Sequence, residues 1–351
     1  MRGYIFLTIF MVSVQPVFAE VKASKAFNPD ISANFLGLFQ RFNQGHDDRD
    51  QSNHNGVSLQ EAELQMTSDV DPYFRASVLL SVSQAKGSTD SGIEPEEVFF
   101  ETISLPRVTL KAGKFKAALG KHNQLHTHAF PFLDAPLISG DLLGGEGLNE
   151  EGVSAAVLLP TTWFSELTVQ AMGTNNDALY NSSSSGHIAP VAYWKNLWDL
   201  SDDLTFELGV FGTQGNNSFT STTSAYGGDL IFKWRPTSGG KYKAFVWQTQ
   251  YMAGSRLGNP TGEKIGGISS WIQYQFAERW WAQARGEYEG ISQSTTLPKK
   301  NKQSVLLGFF PSEFSGLRVQ LDRLVVENLP NEYKFAFQYN VSIGAHPAHA
   351  Y

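Results

Sequence analysis

The stretch that decides the fold is Glu332-Tyr-Lys-Phe-Ala-Phe-Gln-Tyr-Asn-Val-Ser-Ile-Gly344, the last regular segment of the chain. Tyr333, Phe335, Phe337, Tyr339, Val341 and Ile343 fall on one face, and Lys334, Ala336, Gln338, Asn340 and Ser342 on the other. A period of two belongs to a strand, because successive side chains point to opposite sides of a sheet. The apolar face is unbroken for about eleven residues, the length of a tilted strand that crosses a bilayer. The segment therefore predicts the closing strand of a transmembrane barrel, paired with the first strand near Asn34.

Composition agrees. The 351 residues include 25 Phe, 12 Tyr and 8 Trp, 32 Gly and no cysteine. Mean hydropathy is −0.24. A chain polar on average yet rich in aromatics suits a barrel, in which half of each strand faces water. Without cysteine there are no disulfides and no thiolate sites. A formal charge of −7 argues against nucleic acid, which needs a basic face. Residues 1–19 read as a signal peptide: Arg2, the apolar run Ile5 to Val14, then Val17-Phe18-Ala19 before Glu20,. The expected organisation is a leader over 1–19 and a single outer-membrane β-barrel over 20–351. The expected location is the outer membrane of a Gram-negative bacterium.

Alternating segments separated by Gly, Ser, Asn and Pro clusters give about sixteen antiparallel strands. The connections after even strands, such as Ser201-Asp202-Asp203 and Ala277-Glu278-Arg279, are mostly short. Those after odd strands are generally longer, as outer-membrane barrels require. The fourth strand is expected over Glu94 to Leu105 and the fifth over Arg107 to Leu119. A barrel of this size is too wide to be filled by its own strand side chains, so a water-filled channel is expected. The predicted pore lining carries both signs of charge: Glu61, Glu63, Arg75, Glu97, Glu101, Arg107, Lys111, Arg285, Arg318 and Asp322. Opposed charges tune selectivity in a pore.

The third long connection, Gly120 to Gly152, exceeds what a surface loop needs, and such loops are usually functional. Phe130, Phe132, Leu133, Leu137, Ile138, Leu142 and Leu143 make it apolar, so it is expected to fold into the lumen and pack on the wall. His122, His126, His128 and Asp134 are the candidate metal ligands, since neutral imidazoles with a carboxylate suit zinc or another divalent ion. Such an ion would be transient, and no resident cofactor is required. The alternative is that these are polar loop residues hydrogen-bonded to the wall. His187 lies near Ser182 to Ser185, but no acid supports it, and no enzyme is expected.

A long third loop folded into a sixteen-stranded barrel resembles the general and phosphate-selective porins. Lys111-Ala-Gly-Lys-Phe-Lys-Ala-Ala-Leu-Gly120, His126-Thr-His-Ala-Phe-Pro-Phe-Leu-Asp-Ala-Pro136, Leu143-Gly-Gly-Glu-Gly-Leu-Asn149 and Gly344-Ala-His-Pro-Ala-His349 are more specific. They resemble a group labelled zinc-regulated outer-membrane receptors, which implies metal-related transport. The short lead-in Val21 to Asp30 departs from TonB-dependent receptors, which carry a plug before a barrel of about twenty-two strands. The expected function is passive passage of small polar solutes or ions, divalent metal included. The competing function is a receptor or a structural or adhesive barrel without open-pore transport. The expected partners are outer-membrane lipid, the solutes themselves, and copies of the chain in a trimer.

Overall fold

The computed structural model describes residues 29–43, 55–84, 91–180, 187–217, 222–238, 242–256 and 263–344. Sixteen antiparallel strands close on themselves, each paired with its sequence neighbours. The ring is sealed by β1 (Asp30–Phe42) against β16 (Glu332–Gly344). Asn34 lies opposite Ser342 and Phe39 opposite Phe337. Between them run β2 (Gly56–Asp69), β3 (Phe74–Gln84), β4 (Ser91–Thr102), β5 (Val108–Lys116), β6 (Asn149–Leu158), β7 (Phe164–Gly173) and β8 (Ile188–Ser201). Then come β9 (Leu204–Asn216), β10 (Thr222–Trp234), β11 (Ala244–Arg256), β12 (Glu263–Ala277), β13 (Trp280–Glu289), β14 (Lys300–Ser312) and β15 (Ser315–Val326). Among the described residues, two short α-helices, α1 (Leu137–Leu143) and α2 (Asp177–Tyr180), and two 3-10 turns, His122–Gln124 and Thr127–Ala129, interrupt the connections. The expected leader, and His346 and His349, lie outside the described residues.

The alternation in sequence becomes two faces. On β16, Phe337 is 36 % exposed and its neighbour Gln338 is 0 % exposed. Across the barrel, Phe35, Phe100, Trp194, Ile272 and Leu321 are exposed while Glu63, Gln170, Glu207, Asp229 and Gln320 are buried. Large apolar side chains on the outside and polar ones within are the pattern lipid imposes. At the short-turn end, Trp163, Trp198, Phe206, Phe232 and Trp247 stack in sequence, with centroids 4.7–6.2 Å apart. This is an aromatic girdle at one membrane interface.

Strand boundaries move by a few residues from the sequence reading, and the fourth and fifth strands bear on the pore lining. The fourth strand lies three residues earlier, and the fifth ends at Lys116 rather than Leu119. Arg107 is not a strand residue: it sits in the β4–β5 turn with φ 62, after Pro106, whose fixed φ suits a turn. Arg107 is exposed there and lines no pore.

Candidate functional site

The residues between β5 and β6 fold into a compact unit because apolar and polar anchors alternate along them. Asn123 is buried and clamps both ends of the segment: its Nδ2 donates to the carbonyls of Ala117 (2.8 Å) and Leu148 (3.0 Å), and its Oδ1 accepts Leu148 N–H (2.8 Å). Gly147, with φ 70, closes that clamp; a Cβ there would stand 2.3 Å from Asn123 Oδ1. Pro136 starts α1 and Gly144, with φ 83, ends it. The apolar face of α1, Ile138, Leu142 and Leu143, joins one buried cluster with Met172, Tyr180, Met252 and Ile265. Burying each large side chain is worth about 1.5–3 kcal/mol, so this face holds the segment on β7, α2, β11 and β12.

Polar anchors continue the path. Ala118 N–H donates to Gln170 on β7 (2.8 Å), and Lys121 N–H to Asp229 on β10 (2.8 Å). Lys121 Nζ lies 3.3 Å from Glu207 on β9. Further along, Arg318 on β15 donates to the Phe130 carbonyl (2.6 Å), Leu133 N–H donates to Gln320 (2.9 Å), and Gln60 on β2 donates to the Leu133 carbonyl (3.0 Å). Phe132 and Leu133 pack with Leu38, Trp271, Leu306 and Ala336.

Asp134 is the strongest anchor. Its carboxylate meets Arg285 of β13, Lys302 of β14 (2.7 Å) and Lys334 of β16 (2.7 Å), and accepts from Gln320 (3.2 Å). Burial alone would raise this carboxyl, but Lys302, Lys334 and Arg285 hold it well below the usual range,. Arg285 also donates to the Asp134 carbonyl (3.0 Å) and covers the Phe132 ring.

The second polar centre lies on β2 and β4. Glu61 and Glu63 are buried, with Glu96 and Glu97 beside them. Strict alternation would point Glu96 and Glu97 to opposite faces. A bulge at Pro95 prevents this: Leu79 pairs with Glu97 and Leu80 with Pro95, leaving Glu96 between,. Both carboxylates reach His126, Glu96 Oε1 at 3.0 Å from Nδ1 and Glu97 Oε2 at 3.1 Å from Nε2. Lys116 Nζ also meets Glu96 Oε1 (2.9 Å). His128 Nδ1 contacts Glu63 Oε2, and its ring stacks on His126 with centroids 5.9 Å apart. Burial lowers the basicity of His126, but its two carboxylate partners outweigh that and raise it to about 10.

The four expected metal ligands do not converge. His122 is buried against Phe130, with centroids 4.4 Å apart, and burial, then Arg285 and Lys116, push it down to about 3. Asp134 is spent on three cations. Among the described residues, the His, Asp and Glu side chains brought together at metal-ligand spacing are Glu63, Glu96 and His126. The sequence reading missed Glu96 and Gln60. Each occupies a bulge, Gln60 lying between Glu61, opposite Leu36, and Leu59, opposite Gly37. Pro95 inside a strand was the available signal for the first bulge; the second had none. Of the expected pore lining, Glu61, Glu63, Glu97, Arg285, Arg318 and Asp322 lie on the polar face. Glu101 and Lys111 pair weakly at 4.0 Å. Arg75 is at the short-turn end, 2.8 Å from Asp69 and exposed, so it belongs to the rim.

No family model matches the chain. An uncharacterised protein of Aquifex aeolicus (strain VF5) is 26% identical over 392 residues, covering 94% of this chain and 81% of that protein. The outer membrane channel DcaP of Acinetobacter baumannii superposes with a TM-score of 0.60 at 11% identity, covering 90% of this chain and 97% of DcaP. The anion-selective porin from Comamonas acidovorans gives 0.58 at 10% identity over 90% and 98%. In-vitro folded OmpT of Vibrio cholerae, in its trimer form, gives 0.57 at 10% identity over 90% and 99%. These likenesses define the fold: the chain has the fold of the outer-membrane porins, a closed sixteen-stranded antiparallel barrel.

Proposed function

We propose that the protein is a passive outer-membrane channel for small polar solutes or ions, and that residues 117–148 cross its lumen and set its width. One observation carries this reading. A single segment bonds to Gln170, Asp229 and Glu207 on β7 to β10, and to Gln60, Gln320, Lys302 and Lys334 on β2 and β14 to β16. Strands so far apart around a closed ring share only its interior. The polar face supplies both signs of charge beside the segment, with Glu61, Glu63, Glu96 and Glu97 in one group and Arg285, Lys302, Lys334 and Arg318 in another. Such opposed groups create a field across a pore.

The trimer form of the OmpT neighbour supports a homotrimer here, tested by native mass spectrometry of detergent-extracted protein. Removal of residues 1–19 is tested by intact mass of outer-membrane material. The channel itself is tested by reconstitution in planar bilayers. Discrete conductance steps are expected; a folded barrel that stays electrically silent would favour the receptor or structural reading.

A further inference from the structure

We propose that Glu63, Glu96 and His126 form a binding site for one divalent transition cation. The ligand atoms come from β2, β4 and the connecting segment, and all lie within 4.8 Å of one another. A small ion takes bonds of about 2.0–2.2 Å to oxygen and nitrogen, so three donors at this separation fit around one ion. This juxtaposition is built by the bulge at Pro95, which turns Glu96 inward beside Glu97.

Three oxygens in this cluster are buried without a hydrogen-bond partner: Glu61 Oε2, Glu63 Oε1 and Glu96 Oε2. Their residues are 7 %, 5 % and 4 % exposed. Carboxylate oxygens withdrawn from water are costly unless a cation meets them. Lys116 meets the other oxygen of Glu96 and leaves Oε2 available. Four carboxylates, Glu61, Glu63, Glu96 and Glu97, surround the site against the cation Lys116 and the His126 ring, and a divalent ion offsets the excess negative charge.

The outer shell is also in place. Glu97 Oε2 holds Nε2 of His126 at 3.1 Å. That contact fixes the ring and turns Nδ1 toward Glu96 Oε1, 3.0 Å away; the ion takes the place of the Nδ1 proton, which leaves to solvent, so binding weakens as pH falls. A carboxylate behind an imidazole is the arrangement that orients a metal-binding histidine and strengthens it as a donor. The stacked His128 ring and its contact with Glu63 hold the remaining ligand. Two carboxylates with one imidazole suit zinc and its neighbours, whereas calcium takes about six to eight oxygens. The site needs the docked segment but not an open pore, so its failure and the failure of the channel reading are separate results.

The experiment is equilibrium dialysis of chelator-stripped, detergent-solubilised protein against Zn²⁺, with heat-modifiable gel mobility to confirm that each variant is folded. Wild type is expected to bind one equivalent. The Glu63→Gln/Glu96→Gln double variant is expected to lose about 100-fold or more in affinity. Glu97→Gln, a positioning change, is expected to lose about 10-fold. Cobalt loaded in place of zinc reports the ligand set by its visible absorption, which is expected to change in His126→Gln even if the double variant does not fold. A His346→Ala/His349→Ala variant is expected to bind as wild type does. Undiminished binding in the glutamate variants, loss of binding in the tail variant, or equal competition by Ca²⁺ would each overturn the proposal.

Discussion

Replacing Asp134 by Asn removes one charge and almost no volume. Three cations, Arg285, Lys302 and Lys334, would then face the barrel interior with Glu287 and Asp322 as their remaining anionic partners. Removing one partner from a buried ion pair costs about 3–5 kcal/mol. Asp134 keeps 27% of its side chain accessible, which places the cost near the lower bound. The barrel ladder does not depend on Asp134, so the loss is local: the segment around 130–136 opens more often. About 3 kcal/mol corresponds to about 100-fold in the opening equilibrium. Hydrogen exchange read by mass spectrometry should show that loss of protection in peptides covering 130–136 and none in β8 to β10. Asp203→Asn, at an exposed turn where the carboxylate accepts from Thr237, is the matched control. The acid dependence adds a second readout. A depressed carboxyl contributes stability above its unfolded value, about 3.9, that is lost as pH falls through the lower folded value. Wild-type protection should therefore drop below about pH 4, and the variant should lack the contribution of Asp134 to that drop. Unchanged exchange at neutral pH in Asp134→Asn would refute the idea that this carboxylate anchors the segment.

Three further outcomes are expected. Phe337→Arg puts a cation on the lipid face at a cost of about 2–4 kcal/mol near the bilayer midplane and should impair assembly, while Gln273→Arg, facing the cavity of about 200 Å³ beside Phe130 and Pro131, should assemble; equal yields of heat-modifiable barrel would mean the faces are misassigned. Gly147→Ala forces a non-glycine residue into the left-handed region, about 1–2 kcal/mol, and drives its Cβ into Asn123 Oδ1; limited proteolysis should cut within 117–148 faster than in wild type. His122→Leu keeps the packing on Phe130 and removes a buried nitrogen, Nε2, that has no hydrogen-bond partner; since a histidine held at about 3 loses its stabilising contribution as pH falls from about 6.5,, the wild-type segment should weaken by about 2–3 kcal/mol at pH 4.5 and the variant should be spared that loss, as hydrogen exchange can measure.

Much of the barrel was legible because lipid writes a simple rule into each strand. Glu332–Gly344 was bounded correctly from alternation alone, and its pairing near Asn34 followed from closure. Gln338 shows where the rule stops. Its parity placed it inward, but nothing local shows that it is wholly buried between Arg318 and Gln60, where an added cation would be costly. The site was less legible for the same reason. The partners of His126 and His128 come from bulged or distant strands, and bulges break the period on which the reading depends. His122, four residues from His126 and matching it in type, differs only in what the fold sets against it: a phenyl ring rather than two carboxylates.

The most direct measurement is the single-channel conductance of wild type beside a variant lacking residues 130–143, both shown to be folded by heat-modifiable mobility. That deletion removes Asp134 and α1, and with them the contacts to β12 through β16. Discrete steps in wild type and a larger step in the deletion are the expected result. The same conductance in both proteins would contradict the claim that this segment sets the width of the channel.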